Sequence, residues 1–341
     1  MRKLIICIFL SSMGFASIAG ASIAGKSVIY VHGLQTIAFD RDITQAALQA
    51  DARAQSGVLQ PFVDHFIFFD SAQRLNAQNN ALRDQINDIV DAGSCTNGCL
   101  ILSASTGDLV TRHFLSRLNQ WGISSQDFRI TATFDVVGAG GGTELADLAA
   151  SVVGNPLLSG IADLLAGIIL SADVNSVADL GIVNDLRPAI ARSTATTFNS
   201  VPRLRIAAGD GGITSAFISG GDDGVVPLHS ACGSSRADGI GSCSRSIDLD
   251  GRLTSADGPR SFLFNHFPII MAEDLAHTEP ADNIPSGRLV AVNNNRSFSG
   301  IDVSFDERSF STGFWIFRRN FRIIDKPNSQ SLGAFLIDEI N

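Results

Sequence analysis

The chain has 341 residues, 45% of them hydrophobic and 17% charged, which is too apolar and too lightly charged for disorder and long enough for one large or two ordinary domains. Its formal charge is −9, from 34 acidic and 25 basic residues with no Lys/Arg-rich run. That balance gives no support to a nucleic-acid footprint and favours neutral or apolar partners.

At the amino terminus Arg2 and Lys3 precede the apolar residues 4–10, and small residues follow at Ala16, Ala19, Gly20 and Ala21. This is the layout of a secretory signal peptide over residues 1–21, so a secreted or periplasmic protein is expected. A membrane anchor is the weaker reading, because Ser11, Ser12 and Gly14 interrupt a run that would need about 20 apolar residues to span a bilayer. Residues 28–31 then read as a strand ending in His32-Gly33, residues 43–54 as a helix and 63–69 as a strand. A helix over 75–90 carries Leu75, Leu82, Ile86 and Ile89 on one face. A buried strand at 100–102, a helix at 108–120 and a strand at 128–134 follow. This alternation predicts an α/β domain over 22–282, a mostly parallel sheet with helices on both faces.

Between 143 and 199 the alternation gives way to a helical stretch rich in Leu, Ile and Ala, in which residues 155–170 carry one charge, Asp163. It reads as a helical lid insertion with an apolar surface. Strands are expected again at 204–207 and 215–219, with a last α/β unit at 261–275. From 283 to 341 the composition shifts to Phe- and Arg-rich strands, at 288–292, 300–305 and 313–324, which form either a β-rich C-terminal extension packed on the main domain or a small module.

Chemistry is concentrated where the 100–102 strand runs through Ser103-Ala104-Ser105-Thr106-Gly107 into a helix. A nucleophile elbow requires this strand–turn–helix context, with Ser105 in the turn and Gly107 among the small neighbours that let the backbone reverse. The usual glycine two before the nucleophile is Ser103 here. The strand ending in His32-Gly33-Leu34 has the form of an oxyanion loop, in which the N–H groups of Leu34 and Thr106 would face one oxygen and His32 would shape the loop. A serine hydroxyl needs a base oriented by a carboxylate, and in sheets of this type the chain order is Ser, acid, His. Asp223, in a glycine-rich loop, and His266, just past a β-run, fit that order. Asp222 and Asp135 are alternative acids. Of the other histidines, His229 lies close after Asp223, His65 and His113 fall inside predicted elements, and His277 lies in a polar stretch, which leaves His266 as the expected base.

With these motifs the chain resembles secreted bacterial lipases and esterases of the α/β-hydrolase fold over residues 28–276. His32-Gly33-Leu34 resembles their oxyanion segment, residues 103–112 their elbow and helix, residues 223–227 the acid loop, and Asn265-His266 the histidine loop. Asp185-Leu186-Arg187-Pro188 resembles a stretch before a late strand. The resemblance implies a serine hydrolase of carboxylic esters, lipase-like, with a lipid or other apolar ester as substrate, transient binding at a lipid interface, and no cofactor. A short-chain carboxylesterase, a polyester depolymerase and a catalytically inactive binding protein are the alternatives. The chain departs from the family at Gly138-Ala139-Gly140-Gly141-Gly142, where a Thr-Pro-His-x-Gly segment is usual. It departs again at Pro268, where calcium-binding lipases carry Asp, so no metal is expected.

Removal of the signal would leave Cys95, Cys99, Cys232 and Cys243, an even set for an oxidising compartment. Cys95 and Cys99 precede the strand that leads to the elbow, whereas Cys232 and Cys243 follow Asp223 at the other end of the sheet. A strand of five residues spans about 17 Å, beyond the ~6 Å between bridged Cα atoms, so the pairs Cys95–Cys99 and Cys232–Cys243 are expected.

Overall fold

A computed structural model describes residues 25–153, 177–194, 201, 203–234, 237, 269–293, 297–298, 301–302 and 305–340. The apolar runs form strands because alternate side chains enter two separate cores. In β1 (Ser27–Val31) and β3 (Cys99–Ala104), Ile29, Val31, Cys99 and Ile101 face one core, and Val28, Tyr30, Leu100 and Leu102 face the other. A strand covered on both faces reads as continuous hydrophobic sequence, as these do.

The first half of the chain alternates as expected. After β1 come helix α1 (Gln45–Ala54), with Thr44 Oγ1 accepting the Ala47 N–H at its start, and strand β2 (His65–Ile67). Helix α2 (Asn79–Asp91) buries Leu82, Ile86 and Ile89. After β3 come α3 (Thr106–Leu115), β4 (Ile130–Val136) and α4 (Glu144–Val152). Then follow α5 (Pro188–Ser193), β5 (Arg203–Ala208), the short α6 (Leu228–Ala231), β6 (Ile269–Ala272) and β7 (Leu289–Asn293). A two-stranded ladder, β8 (Ser297–Phe298) with β9 (Ile301–Asp302), precedes β10 (Glu307–Thr312), β11 (Arg319–Ile324) and α7 (Leu332–Ile340).

The main sheet has nine strands in the order β10-β11-β7-β6-β5-β4-β3-β1-β2. Strands β2, β1, β3, β4, β5 and β6 are parallel, and β7, β11 and β10 extend the edge antiparallel. The chain leaves β1 for β2 on one side and returns to β3 on the other, so the strand order reverses at β1/β3. In open α/β sheets the crevice at the carboxyl ends beside such a reversal is where ligands bind.

Two expectations change, and one alternative that the sequence leaves open is decided. The 143–199 stretch is not one lid: Leu145, Ala146, Ala149 and Val152 of α4, with Leu180, Ile182, Val183, Leu186 and Ala191, are buried in the main core. Residues 154–176, which include the apolar 155–170, lie outside the described residues. Of the two alternatives for 283–341, the extension packed on the main domain is the one observed: β7, β11 and β10 continue the main sheet and α7 buries Leu332, Phe335 and Leu336 against it. The strand expected at 215–219 is instead a 3-10 turn (Ile213–Phe217), because Thr214 Oγ1 donates to Gly224 O and Ser215 Oγ to Asp222, which ties the backbone into a loop.

Cys95 and Cys99 are disulfide-bonded, with Cα atoms 5.0 Å apart. Cys232 is also disulfide-bonded, and Cys243 lies outside the described residues.

Candidate active site

Ser105 leaves β3 at its carboxyl end and caps α3 with φ 51° and ψ −119°. A non-glycine residue in that region is strained and persists only where its surroundings hold it. Here they do. The Ser105 carbonyl accepts N–H groups from Asp108 and from Ala139 in the loop after β4, and the Ser105 N–H donates to Val136 O. A Cβ on Gly107 would lie 2.3 Å from Val31 O and 2.7 Å from His32 O, so only glycine lets α3 start this close to β1. Ser103, standing where the elbow usually has glycine, is accommodated because its hydroxyl donates to Asp135 Oδ1 at 2.8 Å on the neighbouring strand.

The imidazole at Ser105 belongs to His277. Its Nδ1 meets Asp223 Oδ2 at 2.8 Å and its Nε2 meets Ser105 Oγ at 2.9 Å. A buried carboxylate only accepts, so Nδ1 carries the proton and Nε2 accepts the serine hydroxyl. Asp223 is fixed in turn by N–H groups of Val225 and Val226 on Oδ1, and its carbonyl accepts the His277 N–H at 2.9 Å. The expected base, His266, is therefore corrected to His277. His266 lies outside the described residues and precedes β6, whereas the imidazole reaches Ser105 from the loop beyond the carboxyl end of β6. The run Ile269-Ile270-Met271-Ala272 was the signal: the histidine after it, not before it, emerges on the catalytic edge.

The alternative acids face elsewhere. Asp135 accepts from Ser103 and Arg203, and Asp222 accepts the Gly224 N–H and the Ser215 hydroxyl inside its own loop. His229 is buried between Arg192 and Glu144, and His113 reaches Asn79.

Leu34 follows β1 beside the elbow. Among the described residues no hydrogen bond occupies the backbone N–H of Leu34 or of Thr106, and both residues line the same cavity as Ser105 and His277. His32 is stacked on Phe69 at 4.0 Å, and its Nε2 accepts the Phe69 N–H while Nδ1 donates to Gly33 O at 2.7 Å. Burial lowers its pKa to about 4, so it is a neutral spacer. Sequence reasoning missed Gln55, whose Oε1 accepts the Gly33 N–H at 2.8 Å and whose Nε2 donates to Leu34 O and to Asp51. Gln55 sits at the end of α1 as an ordinary polar residue, and no spacing singles it out.

Behind the elbow lies a buried ionic group. Arg203 Nη1 reaches Asp108 Oδ1 and Asp135 Oδ2, each at 2.9 Å. The glycine-rich loop after β4 wraps it: Gly140 N–H donates to Asp108, Arg112 donates to Gly140 O, and a Cβ on Gly140 would lie 2.2 Å from Asp108 Oδ2. This close wrapping accounts for glycine at position 140. Asp185 plays a comparable part, accepting Arg74 and the Leu75 N–H and tying the 177–186 segment to the 3-10 turn Leu75–Gln78 that precedes α2.

The cavity over Ser105 has a volume of about 700 Å³ and is lined mostly by apolar side chains, among them Leu34, Val137, Leu186, Ile213 and Val225. Among the described residues no three His, Cys, Asp or Glu side chains come together as a metal would need, and no helix is long and apolar enough to cross a membrane.

A parallel sheet reversing at β1/β3, a strained serine between strand and helix, and an Asp–His pair following it in chain order are the marks of the α/β-hydrolase fold, and this chain has that fold. No family model matches the chain, and no curated protein does. Solved structures similar to it include the mature Bacillus licheniformis lipase BlEst2, at 16% identity and TM-score 0.39, covering 60% of this chain and 78% of that one. EstA from Clostridium botulinum is 13% identical with TM-score 0.38 over 82% and 88% of the two chains. Staphylococcus hyicus lipase is 12% identical with TM-score 0.36 over 75% and 88%.

Proposed function

We propose that the protein is a serine hydrolase of carboxylic esters, acting on substrates with an apolar acyl chain in the manner of a lipase. The observation that carries this reading is the hydrogen-bonded chain Ser105 Oγ, His277 and Asp223 at 2.9 and 2.8 Å. His277 Nε2 takes the serine proton as Oγ attacks the ester carbonyl, Asp223 stabilises the imidazolium, and the proton passes to the leaving alcohol. Water then attacks the acyl-serine with His277 again as base, releasing the acid. The N–H groups of Leu34 and Thr106 bind the oxyanion, helped by the amino terminus of α3. The apolar cavity holds the acyl chain. Export through the signal sequence of residues 1–21 is part of this reading and agrees with a disulfide at Cys95–Cys99.

A fluorophosphonate probe tests it. The intact protein should be labelled at Ser105 with loss of p-nitrophenyl ester hydrolysis, and Ser105→Ala should be neither labelled nor active. Hydrolysis that survives in Ser105→Ala would refute the proposal.

A further inference from the structure

Eight large apolar side chains are more than a third exposed among the described residues, and four of them are consecutive: Phe314 (87%), Trp315 (79%), Ile316 (71%) and Phe317 (76%). They form the tip of the β10–β11 hairpin. The tip is a built turn: Phe317 N–H donates to Phe314 O, Arg318 N–H to Trp315 O, and a Cβ on Gly313 would lie 2.3 Å from Phe317 O. Ring and branched side chains are thereby presented outward together. Single exposed apolar residues need no explanation, but a contiguous group marks a surface that something apolar covers.

The charge around the tip indicates what that is. Between 308 and 322 the sequence holds four arginines, Arg308, Arg318, Arg319 and Arg322, and no acidic residue, in a chain of net charge −9. At the base, Arg308 pairs with Asp325 and Arg322 with Glu307, whereas Arg318 next to the tip touches only the neutral Ser311 among the described groups. Two copies packed tip to tip would bring like charges together. An anionic lipid surface meets both properties at once, taking the aromatic and aliphatic tip into its interface and the arginines at its headgroups.

We propose that the hairpin tip Phe314–Phe317, with Arg318 and the arginine-rich sequence that follows it, docks the protein on an anionic lipid surface. Register fixes the consequence. Leu289 of β7 pairs with Ala272, the last residue of β6, and Val290 pairs with Ile323 of β11, so Arg319 lies toward the amino-terminal edge of the parallel strands. The tip is therefore at the edge opposite Ser105, and docking concentrates the protein at a surface without covering the cavity mouth.

The test uses Ser105→Ala, so that lipid is not consumed and the outcome does not depend on the proposed hydrolysis. The expected result is co-sedimentation with phosphatidylglycerol vesicles, weaker by about tenfold or more with phosphatidylcholine or in high salt. Trp315→Ser with Phe317→Ser, and separately Arg318→Gln with Arg319→Gln, should each lower vesicle binding by about tenfold. Both pairs, made in the Ser105 background and in the intact chain, should leave thermal unfolding and soluble-ester hydrolysis unchanged. In a Trp121→Phe background Trp315 is the sole tryptophan, and its emission should shift to the blue on binding. Absence of vesicle binding, equal binding by the tip variants, or a tip variant that turns a dimer into a monomer without affecting vesicles overturns the proposal.

Discussion

Gln55→Leu isolates the support of the oxyanion loop from the chemistry it serves. The substitution removes three hydrogen bonds, to the Gly33 N–H, to Leu34 O and to Asp51, while keeping a side chain of similar size. A donor or acceptor left unpaired in a partly buried loop costs about 1–3 kcal/mol, and the loop relieves that cost by moving. The Leu34 N–H moves with it. Losing one oxyanion donor outright costs about a hundredfold to a thousandfold in kcat, so a displaced donor should cost roughly tenfold to a hundredfold. With p-nitrophenyl butyrate, kcat should fall by that factor and KM by no more than about twofold, because the donor acts on the tetrahedral oxygen rather than on the bound ester. The rate of phosphonylation should fall in parallel. Unchanged turnover per labelled serine, with only a smaller active fraction, would refute the argument and reduce Gln55 to a fold-stabilising residue.

Acid should destabilise the fold through histidines buried neutral. His32 titrates near 4 when folded and near 6.5 when unfolded, so the unfolded chain binds more protons in that window and stability, complete above about 6.5, is lost as pH falls toward 4. His32 alone accounts for roughly 2–3 kcal/mol between pH 7.5 and 4.5; guanidinium unfolding of His32→Gln should show a correspondingly shallower pH dependence, and an identical slope would contradict the assignment. Arg203→Leu removes the cation that Asp108 and Asp135 share at 2.9 Å, leaving Asp135 only the more distant Arg205 at 4.0 Å, and should destabilise by about 3 kcal/mol in the same assay, whereas a loss under 1 kcal/mol would show that the pair simply neutralises.

What the sequence made legible is what local pattern controls. The apolar runs at 28–31 and 100–102 read as strands, and the Ser105 turn and the Asp223 loop are contiguous segments whose residue types carry their own geometry. Which histidine reaches Ser105 is not legible in the sequence, because it depends on the position of one strand. The apolar 262–264 reads as a β-run that His266 follows, while the strand that reaches the sheet is Ile269–Ala272 and sends His277 to Ser105. The flanks of the 143–199 stretch read as lid for a related reason: helix-forming apolar residues look the same in sequence whether they pack against the sheet or cover a pocket. Gln55 and the Asp108–Arg203–Asp135 group depend on contacts between distant segments, which no single-sequence spacing encodes.

The central assignment is His277 as the base, and two variants assayed side by side test it most directly. His277→Ala should lower kcat for p-nitrophenyl butyrate by about a thousandfold or more and lose fast fluorophosphonate labelling, with Ser105→Ala plus His277→Ala no worse than Ser105→Ala alone. His266→Ala, in the same assay, should retain turnover within a few-fold of the unaltered chain. Loss of activity in His266→Ala together with near-normal turnover in His277→Ala would contradict the account.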